Sequence, residues 1–568
     1  MGSLRQKSFF IGDWEVSPTE GLLVRGDDIV HIEPKAMELL VYLAQRQGEV
    51  VTREDIEKDV WGGTLVSYDS ITSTVIKLRK ALQDNAREPD YIATIPKRGY
   101  ELIASVDEQE NPGAHEGTQS IGLQHTKKPI WYYLTAGILV VAAGIYWFVM
   151  SASIDPVVTD ESNVAPISKD NVGYQTFETP SIAVLPFDNI SGDPAQEYFA
   201  NGITSDLITE LSRSSELTVI SKDSTFLLKD DTLDRIRQEL GVDYVLKGSV
   251  RRDAKQIRIN TQLIETHSGR HLWGEYFDAT LDDTFSVQDA ITKQIAGVLK
   301  IHFSTGQGAT VARYFPSIEA YDLFLQGLDF YGRRSFEDLE QAKSYFQQAI
   351  NLDPNFARAY ANLGLIHLRH AIDGWEINTQ GEFDKAKSLA LQALQLNDQL
   401  AEIHFVNAFI NLYQREYESA IRGLGKALDL RPSYADGYAM LAWVLHFSAR
   451  PEHAEINLKR AILLNPKTPT AYLLVQGEGE FIQGHYADAI STLESALEKN
   501  PINPRTQIVL AASYAQANRI DDANWIIDQL LAHHPKATIT RLQNAFPFRD
   551  DKQIQQFQEG LRKAGLPE

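Results

Sequence analysis

The residues best suited to chemistry are cations at close spacing. Lys77, Arg79 and Lys80 fall in the run DSITSTVIKLRKAL, and Lys97-Arg98 in YIATIPKRGYELIA. Ammonium and guanidinium groups neutralise phosphates, and the hydroxyls of Ser73 and Thr74 can bond phosphate oxygens or base edges. None of this is covalent chemistry. The 568-residue chain has no cysteine, which removes disulfides, thiolate nucleophiles, cysteine zinc sites and iron–sulfur clusters. It has no G-x-x-x-x-G-K-[ST], no G-x-G-x-x-G and no H-E-x-x-H. No catalytic, metal or cofactor residue is assigned, and no cofactor is expected; His271 and Trp273 read as a surface histidine and strand packing.

The elements around the cations define how they are held. Ile71, Val75, Leu78 and Leu82 sit at i, i+4, i+7 and i+11 and predict a helix dry on one face. Ser73, Ile76, Lys77 and Lys80 turn to roughly the opposite face, with Arg79 at its flank. Residues 8–32 alternate apolar and polar, as a small antiparallel sheet would. Pro34 opens a helix over 35–46. Thr52 caps a second helix, with Asp55 completing an acidic capping box, and that helix ends near Val60-Trp61-Gly62. A hairpin with Lys97, Arg98 and Gly99 at its tip follows. Sheet, three helices and a basic hairpin predict a winged helix-turn-helix (α+β) domain over 1–105. Its third helix would enter a major groove of double-stranded DNA and its wing would reach the backbone or minor groove. A merely solvated basic face is the opposing reading, because residues 1–130 hold 15 Lys+Arg against 21 Asp+Glu.

Beyond a polar linker (106–129), Ile130–Met150 reads IWYYLTAGILVVAAGIYWFVM, 21 residues without a charge. A helix of that length spans about 31 Å, enough for the core of a lipid bilayer, with aromatic residues near both ends. Lys127 and Lys128 precede it and put the N-terminal side in the cytoplasm by the positive-inside bias. A second linker covers 151–179. Residues 180–305 alternate strand and helix signals, an α/β domain. From 317 to 568 alanines recur at Ala342, Ala386, Ala420, Ala454, Ala489 and Ala523, with a small or apolar residue seven positions after each and turn markers such as Asn465-Pro466 beyond. The period near 34 predicts an all-α tetratricopeptide solenoid of about six repeats with a C-terminal cap. The one long step implies an insertion in His370–Glu382, either a surface loop or part of a partner site. The chain's net charge of −22 divides into −6 before the span and −16 after it.

Three motifs resemble the OmpR/PhoB-type winged helix: V-T-R-E-D-I…V-W-G, I-x₃-V-x-x-L-R-K-A-L and Y-I-A-T-I-P-K-R-G-Y-E-L. The last is similar to the CadC/ToxR membrane-integrated transcription regulators, and the resemblance covers 8–104. It implies that the third helix reads bases through Ser73, Thr74 and Lys77. Arg79, Lys80, Lys97 and Arg98 would meet phosphates or the minor groove, with Arg79 alternatively pairing with an acid inside the domain. No receiver domain precedes the winged helix, so control is expected from beyond the span. IAVLPFDNISGDPAQEYFANGITSDLITELSR, GVDYVLKGSVRR and TQLIETHSGRHLWGEYFD resemble the TolB-like N-terminal domain, and PFRDDKQIQQFQEGLRKAGLPE looks like the closing segment of such architectures. These resemblances imply a single-pass regulator in the bacterial inner membrane, not an enzyme, with its C-terminal region periplasmic. It would answer a periplasmic protein or small-molecule signal and pair as a homodimer on DNA. The alternative is a membrane-anchored scaffold whose repeats and winged helix bind proteins.

Overall fold

The computed structural model describes residues 8–26, 28–61, 68–84, 89–95, 98–108, 177–253, 256–301, 314–333, 336–372, 379–542 and 545–568. The apolar run 130–150 and both flanking linkers lie outside them. No helix among the described residues is long and apolar enough to cross a membrane.

The N-terminal domain opens with strands β1 (Phe9–Ile11), β2 (Trp14–Ser17), β3 (Leu22–Arg25) and β4 (Asp28–His31). With β8 (Val106–Glu108) they form an antiparallel sheet in the order β4-β3-β2-β1-β8. Helix α1 is Pro34–Ala44, with Pro34 in its first turn. Helix α2 (Arg53–Asp59) starts at Thr52, whose hydroxyl accepts from the Asp55 N–H while the Asp55 carboxylate accepts from the Thr52 N–H, the reciprocal box that the sequence predicts. Helix α3 is Tyr68–Leu82. Strand β5 (Val51–Thr52) pairs with β7 (Gly99–Leu102), which pairs with β6 (Ile92–Ile95) to make the wing. The core gathers Ile71, Val75, Leu78 and Leu82 from α3 with Trp14, Leu39, Leu40 and Leu43. The Trp14 indole donates to the Leu82 carbonyl at 3.1 Å, tying the first sheet to the end of α3.

The middle domain is a mixed sheet in the order β11-β9-β12-β13-β14, with β10 (Asp188–Asn189) alongside β12. Strands β9 (Ser181–Val184) and β11 (Thr218–Val219) are parallel, and the ten-residue strands β12 (Tyr244–Asp253), β13 (Gln256–Glu265) and β14 (His271–Thr280) run antiparallel. Period two splits β9 between two faces. Ile182 and Val184 pack under helices Glu197–Leu211 and Thr284–Leu299. Ala183 and Leu185 pack with Ile236 and Leu240 of helix Leu233–Leu240, which Gly241 closes in the left-handed conformation. Strand β11 ends at Val219, and from Ser221 the chain turns into helix Lys222–Phe226.

Six helix pairs follow, from Ile318–Arg333 with Phe336–Leu352 to Pro504–Gln516 with Ile520–His533. The periodic alanines explain the pairing. Ala342, Ala386, Ala420, Ala454, Ala489 and Ala523 are fully buried, as are Ala349, Ala393, Ala427, Ala461 and Ala496 seven residues on. A larger side chain at any of these sites would hold the two helices of its pair apart. Helix Asp551–Lys563 closes the C-terminal end.

Middle domain and repeats share one hydrophobic core, in which Ile203 and Leu207 lie with Tyr321, Phe324 and Phe346. A Cβ on Gly202 would come within 2.5 Å of Leu325, so a side chain there would have to displace Leu325 where these helices approach. The junction is also ionic. Arg358 pairs with Asp206 at 3.0 Å and with Glu402 at 3.1 Å, and the Tyr321 hydroxyl donates to Asp206 at 2.6 Å. Further along, the Ser433 N–H donates to the Ser212 carbonyl, and the Ser221 N–H to the Leu464 carbonyl.

The C-terminal segment lies across the repeats. The Tyr417 hydroxyl donates to the Pro547 carbonyl at 2.8 Å, and Arg505 donates to the Ala545 carbonyl at 2.7 Å while lying over the Phe546 ring. Phe548 packs on Phe447, and Phe557 on Phe481.

Candidate nucleic-acid interface

Helix α3 presents the expected division of faces. Ile71 and Val75 are 1% exposed and Leu78 and Leu82 fully buried, while Lys77 and Lys80 stand exposed and Thr74 is half-buried. Ser73 lies in α3 between these positions, its side chain outside the described residues. Burial of the apolar stripe fixes the rotation of α3 about its axis, and so fixes which residues face a groove. Lys77 Nζ is 2.7 Å from Glu33 Oε1, just ahead of α1.

Arg79 departs from the phosphate contact expected of it. It is 1% exposed. Its guanidinium donates to the Ile92 carbonyl at 2.8 Å and to the Thr94 hydroxyl at 2.7 Å, both on β6. Burial pushes its pKa down, opposed by the nearby charge of Asp84. Asp84 in turn accepts from the backbone N–H groups of Asp90, Tyr91 and Ile92 at 2.8–3.1 Å. Arg79 therefore holds the base of the wing against α3, an internal role reached through a carbonyl and a hydroxyl and not through the acid pair that the sequence left as its alternative. Seven positions after Thr72, on the helix flank, the cation points into the domain, and its partners lie 13 and 15 residues on.

Arg98 is exposed beside the wing turn. Lys97 lies outside the described residues. Gly99, next to them, has φ +148°, and a Cβ there would fall 2.0 Å from the Val51 carbonyl oxygen. Only glycine lets β7 pass this close to β5 where the wing begins its return. The described cations of the face are thus Lys77, Lys80 and Arg98, on two elements locked together by Arg79 and by the Tyr100–Thr72 hydroxyl pair at 3.3 Å.

Nothing in the described residues adds metal chemistry: no group of three His, Asp or Glu residues could hold an ion. The insertion His370–Glu382 is described only at its ends. There Glu382 is buried, 2.5 Å from the His367 imidazole; burial raises its carboxyl pKa, but the hydrogen bonds from Lys385 and then His367 bring it down to about 2.

Residues 26–102 match the family described as transcriptional regulatory protein, C terminal. Residues 178–294 match the second domain of HilA/YgeH-like transcriptional regulators, and tetratricopeptide repeat families match 334–356 and 480–545. The chain is 22% identical over 523 residues to the transcriptional activator CadC of Escherichia coli strain K12, covering 84% of this chain and 96% of that one. It is 40% identical over 248 residues to a putative adenylate cyclase 3 of Rhizobium meliloti strain 1021, a match spanning 42% of each chain. Among solved structures, the DNA-binding domain of E. coli CadC is 38% identical and covers 18% of this chain and 95% of its own, with a TM-score of 0.17. The chain carries an OmpR/PhoB-type winged-helix DNA-binding domain and tetratricopeptide repeats, and is similar to transcriptional regulators of the CadC and HilA type. The domain between these parts matches the HilA-like description.

Proposed function

We propose that this chain is a membrane-integrated, sequence-specific transcription regulator and not an enzyme. The winged helix binds double-stranded DNA as a homodimer, with Ser73, Thr74 and Lys77 toward base edges and Lys80, Lys97 and Arg98 toward phosphates. The uncharged run 130–150 is its single span of the bacterial inner membrane. The TolB-like domain and the repeats, on the periplasmic side, answer a protein or small-molecule signal as one body. The observation that carries the reading is the exposed Lys77 and Lys80 on a helix whose opposite face is fully buried, with Arg98 on the adjoining wing. Pairing two such faces doubles the phosphate contacts, which offsets the acidic balance of the domain.

Genome-wide mapping of DNA bound by the full-length tagged chain tests it. Discrete sites are expected for the parent, and their loss is expected in Lys77→Glu/Arg98→Glu. If the variant keeps the same sites, the DNA reading fails. If both recover only proteins, the winged helix belongs to a scaffold.

A further inference from the structure

The segment that follows the last helix pair is bound by the repeats without belonging to any pair. Phe546, Pro547 and Phe548 form a tight turn, in which the Phe548 N–H donates to the Phe546 carbonyl at 2.9 Å. Pro547 fixes its own φ and keeps Phe546 out of the helical region. The turn stacks the two rings 5.9 Å apart and 11° from parallel, so both face the same side. Each phenylalanine is at most 4% exposed. Phe447, Phe481 and Val509, from the first helices of three successive pairs, line one cavity with them.

The repeats also read the main chain of this segment. The Tyr417 hydroxyl donates to the Pro547 carbonyl at 2.8 Å, and Arg505 to the Ala545 carbonyl at 2.7 Å. The Arg549 guanidinium lies over the Tyr417 ring, 6.0 Å from its centroid. Arg505 is oriented by the repeats themselves. It pairs with Glu478 at 2.5 Å and donates to the Tyr413 hydroxyl at 3.1 Å, and Glu478 is 2% exposed. A main-chain donor held by its own scaffold beside an aromatic cavity is the construction of a preformed peptide site. Because the segment follows the six pairs, its departure unthreads none of them. We propose that the face formed by Tyr417, Phe447, Phe481 and Arg505 is a peptide-binding site with residues 545–549 as its resident ligand. The resident exchanges with an aromatic-Pro-aromatic-Arg segment of a partner protein. This gives the protein signal of the proposed function a chemical class, and rests on the reading that the repeats answer a partner.

The probe is a fluorescein-labelled peptide, Asn-Ala-Phe-Pro-Phe-Arg-Asp, with the sequence of residues 544–550. It is titrated to millimolar concentration against the full-length chain in detergent and read by anisotropy. The resident segment competes at a high effective concentration, so the parent should bind weakly. Phe546→Ala/Phe548→Ala loosens the resident and leaves the face intact, and should bind about tenfold tighter or more. A peptide with both phenylalanines replaced by alanine should bind neither chain. A Cβ on Gly560 would lie 3.3 Å from the Ala512 Cβ, close to the spacing of a disulfide. In a chain without cysteine, Ala512→Cys/Gly560→Cys therefore gives one reducible lock on the helix that follows the segment. The oxidised chain should lose the peptide and the reduced chain regain it. Equal binding in the two states overturns the proposal. So does the absence of binding to the parent, loosened and reduced chains alike, which would make the segment a fixed cap. If Phe546→Ala/Phe548→Ala melts far below the parent, the reversible lock decides alone. No arm reads DNA. Peptide binding absent with mapped DNA sites kept sinks this site and leaves the regulator, and the reverse sinks the regulator and leaves the site.

Discussion

Lys77 Nζ lies 2.7 Å from Glu33 Oε1, so the cation at the centre of the candidate DNA face is held by an acid of its own domain. Both side chains are half or more exposed. An exposed pair of this kind is worth about 0–1 kcal/mol, so it competes with DNA without abolishing contact. Glu33→Gln is expected to tighten binding to a mapped site by up to about fivefold at low salt, with the gain fading as salt rises. Lys77→Ala should weaken binding and lower the slope of log K against log salt by about 1. Fluorescence anisotropy across a salt series reads both, and an unchanged slope in Lys77→Ala removes Lys77 from the phosphate face.

Arg79 and Lys80 are neighbours with opposite expected phenotypes. Arg79→Ala leaves the Ile92 carbonyl and the Thr94 hydroxyl without their donor in the interior, a loss of about 1–3 kcal/mol. The winged helix should melt well below the parent, and DNA binding should fall only because the fold is lost. Lys80→Ala should melt with the parent and lose affinity alone. Calorimetry of the full-length chain separates the two, and equal melting of both variants would return Arg79 to the surface role.

Arg358 ties the middle domain to the repeats through Asp206 and Glu402. Arg358→Ala leaves two carboxylates facing each other across a buried junction, and should cost about 3–5 kcal/mol. Hydrogen exchange should then quicken at helix Glu197–Leu211 and at Ile318–Arg333 together, as the two parts lose their common core. Faster exchange in the repeats alone would show that the junction does not couple them.

His446 predicts an acid limit to stability. It is 5% exposed, and burial lowers its pKa from 6.5 to about 4, with Glu455 opposing. Between those values the unfolded chain binds a proton that the folded chain refuses. Stability is therefore full above pH 6.5 and declines as pH falls toward 4, by at most about 1.4 kcal/mol per unit from this group. Denaturant midpoints at pH 7 and pH 5 should differ in the parent and differ less in His446→Leu. An undiminished difference would assign the slope elsewhere, such as His367, His533 or His534, whose pKa values are lowered too.

Much of this was legible in the sequence because local rules decided it. The stripe Ile71–Val75–Leu78–Leu82 gave the buried face of α3, and Thr52 with Asp55 gave the start of α2. The alanines seven apart marked five of the six helix pairs, with Leu530 in the second position of the last, since mostly small residues fit where two helices cross. What the sequence hid depends on distance along the chain. The partners of Arg79 lie 13 and 15 residues on, across a turn, and nothing in LRKAL distinguishes a buried arginine from an exposed lysine. The ion pair of Arg358 with Asp206 joins residues 152 apart. The Ser221 N–H, where β11 gives way to a helix, donates to the Leu464 carbonyl in a distant repeat. Spacing along the chain cannot announce such contacts, because the fold creates them.

The segment Ala545–Arg549 braces Tyr417, Phe447 and Arg505, residues of three different repeats. During synthesis it leaves the ribosome after all of them. The aromatic side chains it covers are therefore open to chaperones and misassembly while the repeats that carry them have already emerged.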